Sequence, residues 1–324
     1  SSDECSSDLS RHFPDEVQGD MLINNTIAFL GTKQHRMLDD RTGYATKFRQ
    51  DLLVSDDRNF RPVDLEIAPD GSLYIADWHN ILIGHMQHNA RDPLRDHSHG
   101  RIYRITYPSR PLVEPAKIDD APVSTLLDNL KLPEYRTRYR TRRELRGRPA
   151  DQVMPELAKW VQKLDPKDKN YEHNLLEALW VSWGLNQVDQ KLLNQLLGAK
   201  DYRARAAAVR VLRYNGNQIS NQAELLAKAA SDENNRVRLE AIVAASWLKP
   251  DAGLKVLAQA EKLPLDDWMI FAFETAKAHL NGKELKQVDE LEIKTHLTGK
   301  DREAFILGKS IYNKEGYCIT CHQP

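Results

Sequence analysis

Two hydrophobic periodicities divide the chain. Up to about residue 112, apolar positions recur with a period of two, the spacing of half-buried strands. Val63, Leu65 and Ile67 alternate with Asp64 and Glu66, and Pro69-Asp70-Gly71 supplies a tight turn. Leu73-Tyr74-Ile75-Ala76-Asp77 then reads as the return strand of a hairpin. Met21 to Phe29 and His35 to Leu38 read as an earlier pair broken at Gly31-Thr32, and Arg101 to Tyr107 as a later strand ended by Pro108. Short strands with regular turns predict a sandwich or the blades of a β-propeller. Pro111, Pro115 and Pro122 mark a linker, beyond which the spacing becomes helical.

The helical region repeats. Tyr202-Arg203-Ala204-Arg205-Ala206-Ala207-Ala208-Val209 aligns with Asn235-Arg236-Val237-Arg238-Leu239-Glu240-Ala241-Ile242, 33 residues on. The segments beginning Tyr135-Arg136-Thr137-Arg138, Asn170-Tyr171-Glu172 and Asp267-Trp268-Met269 fill the other slots, giving five copies of a helix-pair unit. Their acidic-x-Arg-x-Arg-Ala openings resemble HEAT repeats, in which each pair buries its apolar stripe against its neighbours as an α-solenoid. Seven arginines crowd residues 136–148. They are expected to form the ladder with which such helices bind neighbouring acids rather than a nucleic-acid surface, since no aromatic-interleaved basic face accompanies them. Trp160, Trp180, Trp183, Trp247 and Trp268 fall within the repeats and are expected in their core.

At 324 residues the chain has room for two or three domains, and a formal net charge of −1 with 29% charged residues gives no electrostatic reason for a polyanion partner. The three cysteines change the picture. Cys318 and Cys321 lie in Cys318-Ile319-Thr320-Cys321-His322, a Cys-x-x-Cys-His attachment signal for c-type haem. Each thiol can form a thioether to one vinyl group, and His322 then reaches the iron as proximal ligand. A structural zinc would need two more ligands, and only Cys5 remains. A redox dithiol of thioredoxin type would follow a strand, whereas this motif follows a helical stretch. Covalent haem c is the expectation, and with it a periplasmic or otherwise extracytoplasmic location. The chain reads as a piece cut at both ends: it opens on Ser1 with no leader, and it stops before a distal haem ligand.

Five of the eleven histidines, His79, His85, His88, His97 and His99, fall between the expected strands at 73–77 and 101–107. So long a connection is usually functional. His97 and His99 would share one face if extended, and His85 and His88 one face of a helical turn. Either pair could bind a metal with Asp92 or Asp96, or one imidazole could act as general base on a substrate hydroxyl. The plainer alternative is a polar loop braced by arginine–aspartate contacts. The five histidines stand as catalytic candidates with no choice among them.

FRPVDLEIAPDGSLYIADWHN, residues 60–80, resembles a propeller blade of soluble sugar dehydrogenases, and GKSIYNKEGYCITCH resembles the first helix of a class I cytochrome c leading into its haem. With IGHMQHNARDPLRDHSHGRIYRITY between them, the order of blade, HEAT array and CxxCH resembles multidomain haem-binding proteins of Planctomycetes and Verrucomicrobia type, described as membrane-bound dehydrogenases. The resemblance implies C-terminal propeller blades over residues 1–112, HEAT-like repeats over 113–285 and the start of a cytochrome c domain over 286–324. It implies oxidation of a sugar or alcohol in the propeller, electron transfer to haem held by Cys318, Cys321 and His322, and a redox partner protein. A quinone cofactor or divalent metal in the propeller, and membrane association of the longer protein, stay open. The alternative is a non-catalytic propeller and HEAT scaffold that binds a glycan or protein and carries a cytochrome.

Overall fold

The computed structural model describes the backbone of residues 5–6 and, with side chains, residues 10–81, 92–93 and 95–283. The segment expected to begin a cytochrome c domain, with Cys318, Cys321 and His322, lies outside the described residues, as do His85 and His88. Seven strands come first: β1 (Cys5–Ser6), β2 (Met21–Asn25), β3 (Gly31–Asp40), β4 (Gly43–Val54), β5 (Pro62–Ile67), β6 (Leu73–Asp77) and β7 (Arg101–Ile105). They form one four-stranded sheet in the order β1-β2-β3-β4 and one three-stranded sheet in the order β5-β6-β7. The described strands thus make two small sheets and not a closed propeller. Their apolar faces share a core of Phe13, Val17, Leu22, Leu65, Ile67, Leu73 and Ile75.

The expected hairpin forms, with Leu65 opposite Ile75 and Ile67 opposite Leu73. Gly71 turns the chain with φ +84°, and its carbonyl accepts a 2.6 Å hydrogen bond from Ser10 Oγ, so a side chain there would be strained and would strike Ser10. Val63 departs from expectation. A bulge between Pro62 and Asp64 shifts the register, and Val63 is left 37% exposed while Leu65 and Ile67 stay inside. Gly31 and Thr32, expected as a break, instead open β3, where a side chain on Gly31 would meet the carbonyl oxygen of Leu53. β4 was not anticipated. Its residues are exposed or half-buried throughout, so it lacks the alternation that betrays a strand with one buried face.

Ten helices follow as five pairs: α1 (Val123–Asn129) with α2 (Tyr135–Arg146), α3 (Ala150–Gln162) with α4 (Tyr171–Gly184), α5 (Gln190–Leu197) with α6 (Tyr202–Tyr214), α7 (Gln222–Ala229) with α8 (Asn235–Ala245), and α9 (Pro250–Ala260) with α10 (Asp267–Leu280). The second helix of every pair starts where the 33-residue spacing predicts. Side-chain caps fix three of these starts: Asp201, Asn234 and Asp266 accept from the backbone N–H of Arg203, Arg236 and Met269. Among the described residues no helix is long and apolar enough to cross a membrane.

The chain groups into two compact units. One holds the sheets, except the turn Arg41–Gly43, and runs to Leu192; within it α1 packs on α3 and α2 on α4. Here Glu177 of α4 is wholly buried and takes ion pairs from Arg138 at 2.9 Å and from Arg142. Arg136 and Arg140 pair with Glu66 of β5, and Arg148 with Glu144. Five of the seven clustered arginines are therefore in ion pairs, as a ladder requires. The other unit holds Arg41–Gly43 and the residues from Leu193 on; in it α6 packs on α8, α8 on α10, and α7 on α9. Arg205 binds Asp232 through two nitrogens, at 2.8 and 2.9 Å, and the carbonyls of Ala199 and Lys200. The tryptophans are less uniform than expected. Trp160 is buried, but Trp247 and Trp268 are 60% and 63% exposed, because they point away from the packed faces of the repeats.

Candidate functional site

Alternation along β6 puts Leu73, Ile75 and Asp77 on the same, inward face. The third of these is a carboxylate in a position that otherwise holds core side chains, and it is buried completely. Asp77 Oδ1 accepts the backbone N–H of Arg61 at 2.7 Å and that of His79 at 2.8 Å. The second bond is the local loop an aspartate makes to the residue two positions on. It is helped by the left-handed backbone of His79, φ +52°, an uncommon conformation for a histidine. Among the described residues Asp77 Oδ2 has no hydrogen-bond partner, and neither has the buried Nδ1 of His79, which stands 3.9 Å away. A buried polar atom left in this state costs about 1–3 kcal/mol, so two of them 3.9 Å apart single this place out as a candidate site.

Two buried arginines are tied to this stretch, Arg61 through its main-chain bond to Asp77 and Arg95 through the ring of Trp78. Arg61 is buried, with Nη1 donating to Phe60 O and Nη2 to Ile81 O, and its Nε has no partner. Arg95 is buried with its guanidinium 4.9 Å from the ring centre of the half-buried Trp78, and its Nε and Nη2 have no partner. Trp78 is tied back by its N–H to Arg61 O at 2.9 Å. Asp57 lies nearby. The Asn59 N–H and then Arg101, 2.9 Å away, hold its carboxyl below the usual range, with His79 adding to the effect.

The histidines anticipated from the sequence separate here. His79 sits in the buried cluster, 12% of its side chain exposed. His97 is exposed, and His99 is exposed and bonded through Nδ1 to Asp96 at 2.9 Å. The Ser98 N–H and then His99 hold the Asp96 carboxyl below its ordinary range, which makes this a surface pair rather than a waiting site. Among the described residues no three histidine, cysteine or acidic side chains come together as metal ligands. His12, unremarked in the sequence, is buried and fully used: its Nε2 accepts from Tyr107 N–H, so its Nδ1 donates to Pro111 O. Asp77 is the residue that sequence reasoning passed over. Its signal was present, since the Leu-x-Ile-x-Asp alternation puts it on the core face.

A cavity of about 780 Å³ lies in the second unit, among Asn194, Leu225, Ser231 and Gln259. Its acid, Asp232, is already held by Arg205, so the cavity offers volume without a reactive group.

A family model for a domain of unknown function, DUF7133, matches residues 5–109, which include β1 to β7 and this cluster. A model for HEAT repeats matches residues 190–272, and the helix pairs there are HEAT repeats. No curated protein and no solved structure matches the chain.

Proposed function

We propose that this chain is part of an extracytoplasmic electron-transfer protein in which the β region oxidises a sugar or alcohol and a c-type haem receives the electrons. The observation that carries the proposal is the string Cys318-Ile319-Thr320-Cys321-His322. Its donor set fits the group: two thiols three positions apart for the vinyl carbons, and an imidazole beside the second thiol for the iron. Haem, when bound, supplies a one-electron acceptor whose potential is set by axial ligation and burial.

In the β region, Asp77 and His79 are the groups suited to the substrate hydroxyl. His79 Nδ1 takes the hydroxyl proton, and the Asp77 carboxyl 3.9 Å away stands where it can stabilise the resulting imidazolium. Oxidation to the carbonyl also removes a hydride, and a quinone-class cofactor, when bound, would supply its acceptor. The strands β1 to β7 are read here as blades of a sugar-dehydrogenase-like propeller, and residues 286–324 as the start of a cytochrome c domain.

Visible absorption of the haem-loaded protein tests this. A panel of sugars and alcohols is expected to include one that reduces the haem, and His322→Ala is expected to abolish the low-spin spectrum. An unchanged spectrum in the variant overturns the haem assignment, and absence of reduction across the panel overturns the oxidase half.

A second reading has an observation of its own. Tyr214 and Trp247, both exposed, meet edge to face at 5.2 Å with Arg213 over both rings. An exposed aromatic pair of this kind suits a scaffold that binds a glycan or protein, and it predicts binding without any haem reduction.

A further inference from the structure

The buried cluster around Asp77 contains more positive charge than the proposed proton transfer needs. Arg61 and Arg95 are both more than nine-tenths buried, yet neither guanidinium meets a carboxylate among the described residues. Arg61 spends its two terminal nitrogens on main-chain carbonyls, and Arg95 leans on the face of Trp78. The one buried acid of the cluster, Asp77, gives Oδ1 to two main-chain N–H groups and reaches neither guanidinium. A buried guanidinium without a counter-charge is expensive; Arg238 of α8 shows that one can stand alone, but two in one stretch of the fold are a candidate place for an anion. The helix pairs of the same protein show the ordinary solution, with Arg138 and Arg142 both closed on Glu177. Elsewhere in the strands Arg49 of β4 closes the buried Asp20 in the same way, but around Asp77 this solution is not used among the described residues.

We propose that Arg95, with Arg61 behind it, forms an oxyanion subsite next to the Asp77–His79 pair, so that the natural ligand is a polyol carrying a carboxylate or a sulfate. The proposal rests on the reading of the β region as a hydroxyl-oxidising site and names its substrate class. The unpartnered Nε and Nη2 of Arg95 present two adjacent donors, the fork that matches two oxygens of a carboxylate or sulfate. The Trp78 face beneath it holds the guanidinium plane and, being half-exposed, leaves a flat apolar surface for a sugar ring. The hydroxyl then falls to His79 Nδ1 and Asp77 Oδ2, the other two atoms of the cluster without partners.

Titration calorimetry on the full chain with glucose, glucuronate and glucose 6-sulfate decides the matter without any redox readout. Either acidic sugar is expected to bind at least about tenfold more tightly than glucose, the preference shrinking when the salt concentration is raised. Arg95→Gln is expected to bring the affinity for the acidic sugars down to that for glucose. Its far-UV circular dichroism and melting temperature check that the variant folds, and if it does not, the salt dependence of the wild-type preference stands as the test. The ranking of glucuronate against the sulfate ester tells which oxyanion the fork was built for. Equal affinity for all three sugars, no binding of any, or a preference that survives Arg95→Gln overturns the subsite. Acidic sugars that bind selectively but never reduce the haem would leave the subsite standing and remove the oxidase reading. Haem reduction without preference does the reverse.

Discussion

In the helix pairs most buried charge is closed on itself, the exception being Arg238 of α8, which bonds Asn235 and the Pro264 carbonyl and meets no carboxylate among the described residues. Glu177 takes two guanidinium groups, and Arg205 is saturated by Asp232 and two carbonyls. Polar atoms that lack partners do occur there, but one residue to a helix: Thr141 in α2, Asn174 in α4, Arg213 in α6 and Arg238 in α8. Around Asp77 they gather instead, on four side chains joined to one another through Arg61, Trp78 and His79. Both regions bury ionisable groups, so burial alone does not distinguish a brace from a site. Completeness of the bonding does. Evolution tolerates one orphan atom almost anywhere, but several around one point persist when something from outside completes them.

The largest expected effect tests the closed side of this contrast. Glu177→Ala strands Arg138 and Arg142 without their counter-charge, and a loss of about 3–5 kcal/mol in chemical denaturation is expected. Asp77→Asn probes the open side. Asparagine keeps the oxygen that accepts from Arg61 and His79 and puts an amide N–H toward the bare His79 Nδ1, so stability should change by no more than about 1 kcal/mol. Substrate-dependent haem reduction should nevertheless be lost. If Asp77→Asn unfolds the protein as Glu177→Ala does, Asp77 is a brace and the contrast fails. The smallest effect is a shared acid limb. Asp70 in the β region, bonded by Ser72 and Arg104, titrates below its ordinary range. So does Asp266 in the second unit, where bonds from Thr42, Met269 N–H and Asn235 outweigh burial. A carboxyl depressed on folding adds stability above its unfolded value, near pH 4, and that stability is lost as pH falls through the folded value. Melting temperature should therefore decline below about pH 4, and Asp70→Asn should flatten part of that decline.

The helical half was legible because a repeat states its own register. The Arg-x-Arg openings and the 33-residue step located all five second helices, and the capping residues Asp201, Asn234 and Asp266 are readable as such. The β half was legible where one face is buried and turn chemistry is explicit, as at Asp70-Gly71. It failed at β4, which has no buried face, and at Val63, where one inserted residue reverses the alternation. The exposed Trp247 and Trp268 were misjudged because helical spacing counts apolar residues without telling which of them a neighbour covers. At the candidate site, five histidines drew attention to the loop, while the deciding group was the aspartate that ends the strand before it. An inward carboxylate is a stronger signal than a cluster of titratable residues, since its cost must be offset by something.

One contact bears on how this protein is made. Glu134, at the cap position before α2, receives both the main-chain N–H and the guanidinium of Arg11, while Glu66 of β5 waits for Arg136 and Arg140. The strands thus leave the ribosome before the acids and bases that pin them exist. At translation rates of about 5–20 residues per second, the stretch from the last strand to Arg140 takes a few seconds to appear. Through that interval the hairpin of β5 and β6 has its pairing with β7 and the core shared with Phe13 and Leu22 but no brace from α2, and a premature stop before residue 134 releases strands with no clasp.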